Sequence, residues 1–422
     1  MCQPVLGAGG RSDASRGAEM SATGGSLLTN RRFLQLWIGQ GFSFVGDFVS
    51  TVALVVLVVR ISGSASAVGG VLVARLLPTL ASPLVGVLAD RLDRRAILVA
   101  CDIARAGLIV GVIFTRSLAL IYVLVFLIGA ARTFFNPTIR AVFPSVVGGN
   151  ELARANALIS GTFSVSVMVG PALGGLLVAT VGVEMAFLLD AATYLISAAL
   201  LSRIPLPRPE SERGESFAGE LRAGLGYLAG ARVPLAIVIG TFLTILTANA
   251  TVPAEVFLAK GIFDAGDTGY GLLVAFWGGG MVVGSALTAV LDGRVNLVIL
   301  YFVSMFVTAL ALAGAGVSPT FVLALVALAV AGAANGMDNV ATDTVLQRRV
   351  PEALLGRVFS VRFLGYSAGE AIAYPVGGLI VDSAGPRPTY LLAGAATASA
   401  GLLTLLMIIA APRKEKYCEA EG

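Results

Sequence analysis

The chain has 422 residues, 57% of them hydrophobic and 13% charged, with a formal net charge of +4. Soluble domains carry about a quarter charged residues, so this composition belongs to a membrane protein, and the small positive balance reads as loop arginines and not as a nucleic-acid surface. There is no histidine, which excludes imidazole proton relays, Ser-His triads and His-based metal or haem sites. Cys2, Cys101 and Cys418 are scattered and form no metal or redox motif. No metal or cofactor is expected, no enzyme chemistry is indicated, and any proton work falls to carboxylates.

Residues 1–30 begin with a Gly, Ala and Ser-rich stretch without the apolar core of a signal peptide, and are read as a disordered cytoplasmic tail in which Met20 is an alternative start. Apolar segments then recur near 33–59, 66–89, 96–115, 118–139, 156–180 and 185–202, and again near 234–258, 269–291, 296–316, 319–342, 357–381 and 388–411. Each is long enough to cross a bilayer as a helix. The fold expected is therefore all-α and polytopic, with twelve transmembrane helices in two pseudo-symmetric six-helix bundles, 31–203 and 234–411. A Pro-rich, mixed-charge stretch at 204–233 reads as a cytoplasmic linker, and 412–422 as a cytoplasmic tail.

Between the second and third segments lies Gly86-Val-Leu-Ala-Asp90-Arg91-Leu-Asp93-Arg94-Arg95. So dense a run of charge cannot sit in hydrocarbon, so the chain must surface here. Its arginines also mark the side. With the N-terminus inside, Arg91, Arg94, Arg95, Arg140, Arg154, Arg203, Arg294, Arg348 and Arg349 all fall in cytoplasmic breaks, whereas Arg60, Arg116, Lys260 and Arg387 fall outside. That asymmetry places both termini in the cytoplasm of a multi-pass cell-membrane protein.

An internal repeat supports the two halves. At an offset of 203 residues, Asn136 falls on Asn339, Arg154 on Arg357, Gly174 on Gly377 and Gly175 on Gly378. The first half carries Gly170-Pro171-Ala-Leu-Gly174-Gly175 and the second Pro375-Val-Gly377-Gly378. Proline permits a kink and glycine a close helix approach, so these segments are read as a mechanical bend.

Several carboxylates fall inside apolar runs, where a charged acid costs on the order of 3 kcal/mol on insertion scales. Asp47, Asp338 and Glu370 are candidates for proton coupling; the competing reading of each is a structural hydrogen bond or salt bridge, with Arg362 the nearest partner for Glu370 along its helix. Asp102 and Arg105, spaced i, i+3, are read as a self-satisfying pair. Asp190 and Glu255 are placed near the outer helix ends, in reach of water. Arg75, inside the second segment, has no reading from sequence.

The segments Phe33-Leu-Gln-Leu-Trp37-Ile-Gly39-Gln40, Gly86 to Arg95, Gly170 to Gly175 and Gly356-Arg357-Val-Phe-Ser resemble those of the major facilitator superfamily, in its twelve-helix drug:proton antiporter-like branch of macrolide, multidrug and siderophore exporters. The chain departs from that branch at helix 4, where Arg132 is followed by Thr-Phe-Phe-Asn136-Pro137 and not by Gln-Gly. The resemblance implies a secondary transporter working by alternating access, with proton-coupled efflux of drugs, antibiotics or amphipathic natural products. Its partners would be a small-molecule substrate, protons and the lipid bilayer, with the chain acting as a monomer. It implies a central cavity lined by Gln40, Arg132, Phe135, Asn136, Asn249, Asn335 and Tyr366 beside the acids. It also implies a cytoplasmic gate loop, Gly86, Asp90, Arg91, Asp93, Arg94 and Arg95, whose acids and arginines meet neighbouring helix ends. Import or facilitated passage of a small metabolite, and a non-transporting sensor, remain as alternatives.

Overall fold

The computed structural model describes residues 27–82, 85, 92–147, 151–204 and 217–409. Twelve helices follow the predicted spans: α1 (Arg31–Ser62), α2 (Ala65–Ala81), α3 (Arg94–Ile113), α4 (Leu118–Val146), α5 (Leu152–Thr180), α6 (Val183–Leu201), α7 (Arg232–Ile262), α8 (Gly266–Leu291), α9 (Leu297–Val317), α10 (Phe321–Arg349), α11 (Glu352–Ala384) and α12 (Pro386–Ile409). Ten of them are long and apolar enough to cross a membrane; α2 is shorter, and the 33-residue α11 carries several charges. The linker holds a helix that the sequence reading did not anticipate, Phe217–Gly230, which lies along α11.

Polar residues set the helix starts. Asn30 accepts from the amides of Arg32 and Phe33 at 3.1 and 3.3 Å and donates to the Val146 carbonyl at 3.0 Å, so one side chain caps α1 and ties it to the end of α4. Ser64, Asp93, Asn296 and Thr320 cap α2, α3, α9 and α10 in the same way. Gly63, at φ 65°, ends α1 in the left-handed region that glycine tolerates. Large apolar side chains stay exposed on outward faces, Leu310 at 74% and Leu379 at 62%, as a lipid-facing surface requires.

Packing follows the repeat. In the first group α1 lies on α5 and α6, α3 on α4 and α6, and α2 on α4; in the second, α7 lies on α11 and α12, α9 on α10 and α12, and α8 on α10. Two pairs supply most of the contact between the groups, α5 with α8 and α2 with α11. Glycines explain why these helices approach so closely. A Cβ on Gly174 would lie 3.0 Å from the α1 backbone at Val49, and one on its repeat mate Gly377 would run into the Ala250 carbonyl of α7. A Cβ on Gly175 would sit 2.7 Å from the Asp267 carbonyl of α8, and one on Gly378 would sit 2.6 Å from the Ala65 carbonyl of α2. In each half the first glycine seats its helix within its own group and the second seats it against the other group. The motif read as a bend is thus also a double docking face; α5 passes through Pro171 without losing helical structure.

One end of the assembly is closed by polar contacts between the groups. Arg60 of α1 and Lys260 of α7 each reach Asp267 of α8 at 2.6 Å. Asp382, in the last turn of α11, caps α2 from across the interface. It accepts from the Ala65 and Ser66 amides at 2.7 and 3.0 Å and from the Ser64 and Ser66 hydroxyls at 2.7 and 2.5 Å.

Candidate functional site

Buried polar groups gather in two places. The first lies among α1, α2, α3 and α6. Asp47, 9% exposed, accepts a short hydrogen bond from Tyr194 of α6 and faces the Arg75 guanidinium at 3.6 Å. Arg75 also donates to Thr51, one turn along α1, which gives this previously unread arginine its partners. The same tyrosine joins a second pair. Arg105 binds Asp102 as the i, i+3 spacing predicts, and its guanidinium lies 4.4 Å from the ring centroids of both Phe135 and Tyr194. Asp190 completes the cluster and corrects an expectation: it is fully buried, not water-exposed. Gly46 makes room for it, since a Cβ there would be 2.5 Å from the Asp190 carboxylate and the Thr193 hydroxyl. Ser50, Arg75, Asp190 and Tyr194 line a small cleft inside this group, with Leu54, Ile109, Val125 and Ile128 as its apolar walls.

The second place lies among α7, α10 and α11, with Glu255 further along α7. Glu370 accepts from the Asn249 amide at 3.3 Å and the Tyr374 hydroxyl at 3.0 Å. Arg362, expected as its partner, turns away: it binds Asp343 at 2.6 Å and reaches Asn339 at 3.5 Å. Asp338, 5% exposed, feels Arg362 electrostatically, yet its Oδ1 has no hydrogen-bond partner. Glu255 also departs from its predicted solvated setting; only 8% is exposed.

Other predicted residues are placed separately. Phe135 is packed beneath Arg105, Asn136 is exposed, and Gln40 is buried with its amide nitrogen unpartnered. Asn335 accepts from Asn339 one turn along at 3.1 Å. Gly86, Asp90 and Arg91 of the gate loop lie outside the described residues. Asp93 caps α3 by accepting from the Ala96 amide at 3.0 Å, while Arg94 reaches the Ala141 carbonyl of α4 at 3.5 Å and not an acid; Arg95 is exposed. Tyr194 and Tyr374 were not singled out from sequence as proton-handling groups. The i, i+4 spacing of Asp190 with Tyr194, and of Glu370 with Tyr374, was the available signal.

Two glycine-seamed helix groups around buried acids define a membrane transporter of the major facilitator type. More narrowly, the chain belongs to the family described as transmembrane secretion effector, which matches residues 22–417. It is similar to the putative bacilysin exporter BacE of Bacillus subtilis (strain 168), 29% identical over 79% of this chain and 84% of that one. It is also similar to the enterobactin exporter EntS of Citrobacter koseri, 28% identical over 76% and 78%, and to macrolide efflux protein A of Streptococcus pyogenes, 23% identical over 86% and 92%. Among solved structures, the fold matches the nucleoside transporter NupG with TM-score 0.72 at 14% identity, covering 89% of this chain and 99% of that one. It matches a bacterial homologue of the iron transporter ferroportin, in an inward-facing state, with TM-score 0.72 at 16% identity over 91% and 99%.

Proposed function

We propose that this protein is a proton-coupled exporter of amphipathic natural products, antibiotics or drugs, working as a single chain in the cytoplasmic membrane. The observation that carries the transport reading is the pair of repeat-related glycine seams, α5 on α8 and α2 on α11, along which the groups 31–203 and 234–411 can rock. Direction is supported by the exporters among its relatives. With both termini in the cytoplasm, the end held by Arg60, Asp267 and Asp382 faces outward, and the conformation is one with the outer side shut. Asp47, Asp338 and Glu370 are the proton carriers proposed, since each is an acid buried at membrane depth. Solute would occupy the space between the groups, beside Asn249, Tyr366 and Glu370.

The test is efflux from energised inverted vesicles loaded by a panel of antibiotics and amphipathic dyes. A protonophore is expected to abolish transport of whichever compound is moved. Transport that continues unchanged after the gradient collapses would remove proton coupling; uptake of a nutrient in intact cells, lost on deletion, would reverse the direction.

A further inference from the structure

The two seams reach the closed end with different chemistry. At the repeat offset Ser64, the residue before α2, falls on Asp267 in the first turn of α8. Asp267 is held by Arg60 and Lys260, both partly open to water. α2 has no acid in its own first turn and takes one from the other group, Asp382 of α11, whose repeat mate in α5 is Ala179.

A helix leaves its first amides without internal partners, so each needs an acceptor from elsewhere. The Ala65 amide donates to Asp382 Oδ1 at 2.7 Å and the Ser66 amide to Asp382 Oδ2 at 3.0 Å. The Ala67 amide goes to the Ser64 hydroxyl at 3.3 Å, and the Val68 amide opens the helical ladder with a long bond, 3.4 Å, to the Ser64 carbonyl. The Ser64 and Ser66 hydroxyls also donate to Asp382 Oδ2, at 2.7 and 2.5 Å, so even the cap that α2 makes for itself is oriented from the other group.

Two further observations mark this turn as dependent on α11. Among the described residues, the first hydrogen bond that another helix of its own group gives α2 comes at Ala67, whose carbonyl accepts from Tyr122 of α4 at 3.1 Å. The next turn contains Gly69-Gly70, and glycine is the weakest helix former after proline. What Gly69 provides instead is proximity, since a Cβ there would run into the Tyr374 carbonyl of α11. Packing and capping from α11, and not local propensity, therefore favour a helix at 65–68.

We propose that the first turn of α2, residues 65–68, is built jointly by the two groups. It is helical when Asp382 caps it at the closed end, and it unwinds when that end opens, which lengthens the connection between α1 and α2 at the open mouth. Closing rewinds the turn, and the cap offsets the cost of ordering it. Asp382 is a positioning residue that joins a local coil-to-helix step to the movement of the groups. The inference rests on the rocking of the groups proposed above, and does not depend on the direction of transport or on its coupling ion.

The experiment uses the full chain in lipid nanodiscs, without substrate or gradient, with Cys2, Cys101 and Cys418 replaced by serine. Nitroxide labels at Val181→Cys and Val317→Cys, exposed at the ends of α5 and α9, report by pulsed electron resonance the closed-to-open ratio at this end. Amide hydrogen exchange resolved to single residues reports the turn. Asp382→Ala is expected to lower the ratio about tenfold, the size of a lost helix cap, and to speed exchange at Ala65 and Ser66 by a similar factor. Exchange at Val73 and Ala74, further along α2, should not change. Arg60→Gln, which leaves Asp382 in place, should lower the ratio less, with exchange at Ala65 and Ser66 rising in step with the open fraction. That variant decides the matter if Asp382→Ala does not reach the membrane. An open mouth with Ala65 and Ser66 still protected would overturn the inference while leaving the rocking of the groups intact, and so would a wild-type ratio in Asp382→Ala. One label distance in every variant would remove the rocking and the inference together. Efflux that survives a protonophore would remove proton coupling and leave the paired ratio and exchange changes standing in support.

Discussion

Asp47 and Asp102, in the first six helices, are buried against guanidinium groups, whereas Glu370, in the last six, accepts from a tyrosine and an amide. The two arrangements respond differently to a change of charge. Removing one member of a buried ion pair strands the other, which costs roughly 3–5 kcal/mol. Protonating an acid that faces neutral groups strands nothing and relieves a desolvation cost. The Asp102–Arg105 pair is therefore held together by its charges, and Glu370 is free to gain and lose one. Asp338 lies between these cases, attracted by an arginine whose hydrogen bond goes to Asp343.

Arg105 gives the largest expected effect. It is 3% exposed, pairs with the fully buried Asp102 and stacks over Phe135 and Tyr194. Arg105→Met should destabilise the folded protein by about 3–5 kcal/mol, by leaving Asp102 unpaired. The check is the midpoint of thermal unfolding in detergent, alongside yield from the membrane. Arg105→Lys should rescue only in part, because an ammonium does not reproduce the planar stack. A Met variant as stable as the wild type would mean that the first cluster is not held by its charges, and the contrast between the regions would fail.

The seams come next. Gly175→Leu would place a side chain against the α8 backbone at Asp267 and Gly271, and Gly378→Leu against Ala65 and Ser66 of α2. Both should reach the membrane yet lose transport by about tenfold or more, as ~1 Å displacements at a working interface can. Gly226→Leu is the control, since a Cβ there meets nothing within 4 Å. Equal transport in all three would show that the seams are passive packing, and that the halves do not move along them.

Much of this architecture was legible in the sequence because hydrocarbon imposes it. Apolar length fixed the helices, and the spacing of Gly174 and Gly175 from Gly377 and Gly378 fixed their correspondence. The i, i+3 spacing also gave the Asp102–Arg105 pair, since one helix is enough to define it. What stayed hidden depended on contacts between helices far apart in sequence. Arg75 is 28 residues from Asp47, and Tyr194 is 147 residues from it. Nearness to a helix end suggested water at Asp190 and Glu255, but neighbouring helices cover both. Glu370 and Arg362, two turns apart, suggested a pair; the guanidinium instead meets Asp343 on α10.

Asp47→Asn tests the first cluster at the acid itself. Asn keeps the shape and an acceptor for Tyr194 but not the charge facing Arg75, which retains Thr51. A moderate loss of stability is expected, about 1–2 kcal/mol, smaller than at Arg105 because Arg75 and Asp47 are 3.6 Å apart and both are partly accessible. Transport should fall several-fold while insertion persists. Wild-type efflux in this variant would take Asp47 out of the mechanism and leave it a brace for α1.

Glu370→Gln should have the smallest effect on stability, within about 1 kcal/mol, because no cation is left unpaired. Its amide oxygen can still accept from Asn249 and Tyr374. Transport is the discriminating measurement. If Glu370 exchanges a proton, the Gln variant should bind solute yet fail to move it against a gradient, while downhill exchange between equilibrated compartments continues. If Glu370 instead only braces α11 against α7, both uphill and downhill movement should remain near wild type. A Gln variant that unfolds as readily as Arg105→Met would place Glu370 with the fixed charges of the first cluster. The two regions would then differ in their chemical partners without differing in their capacity to change charge.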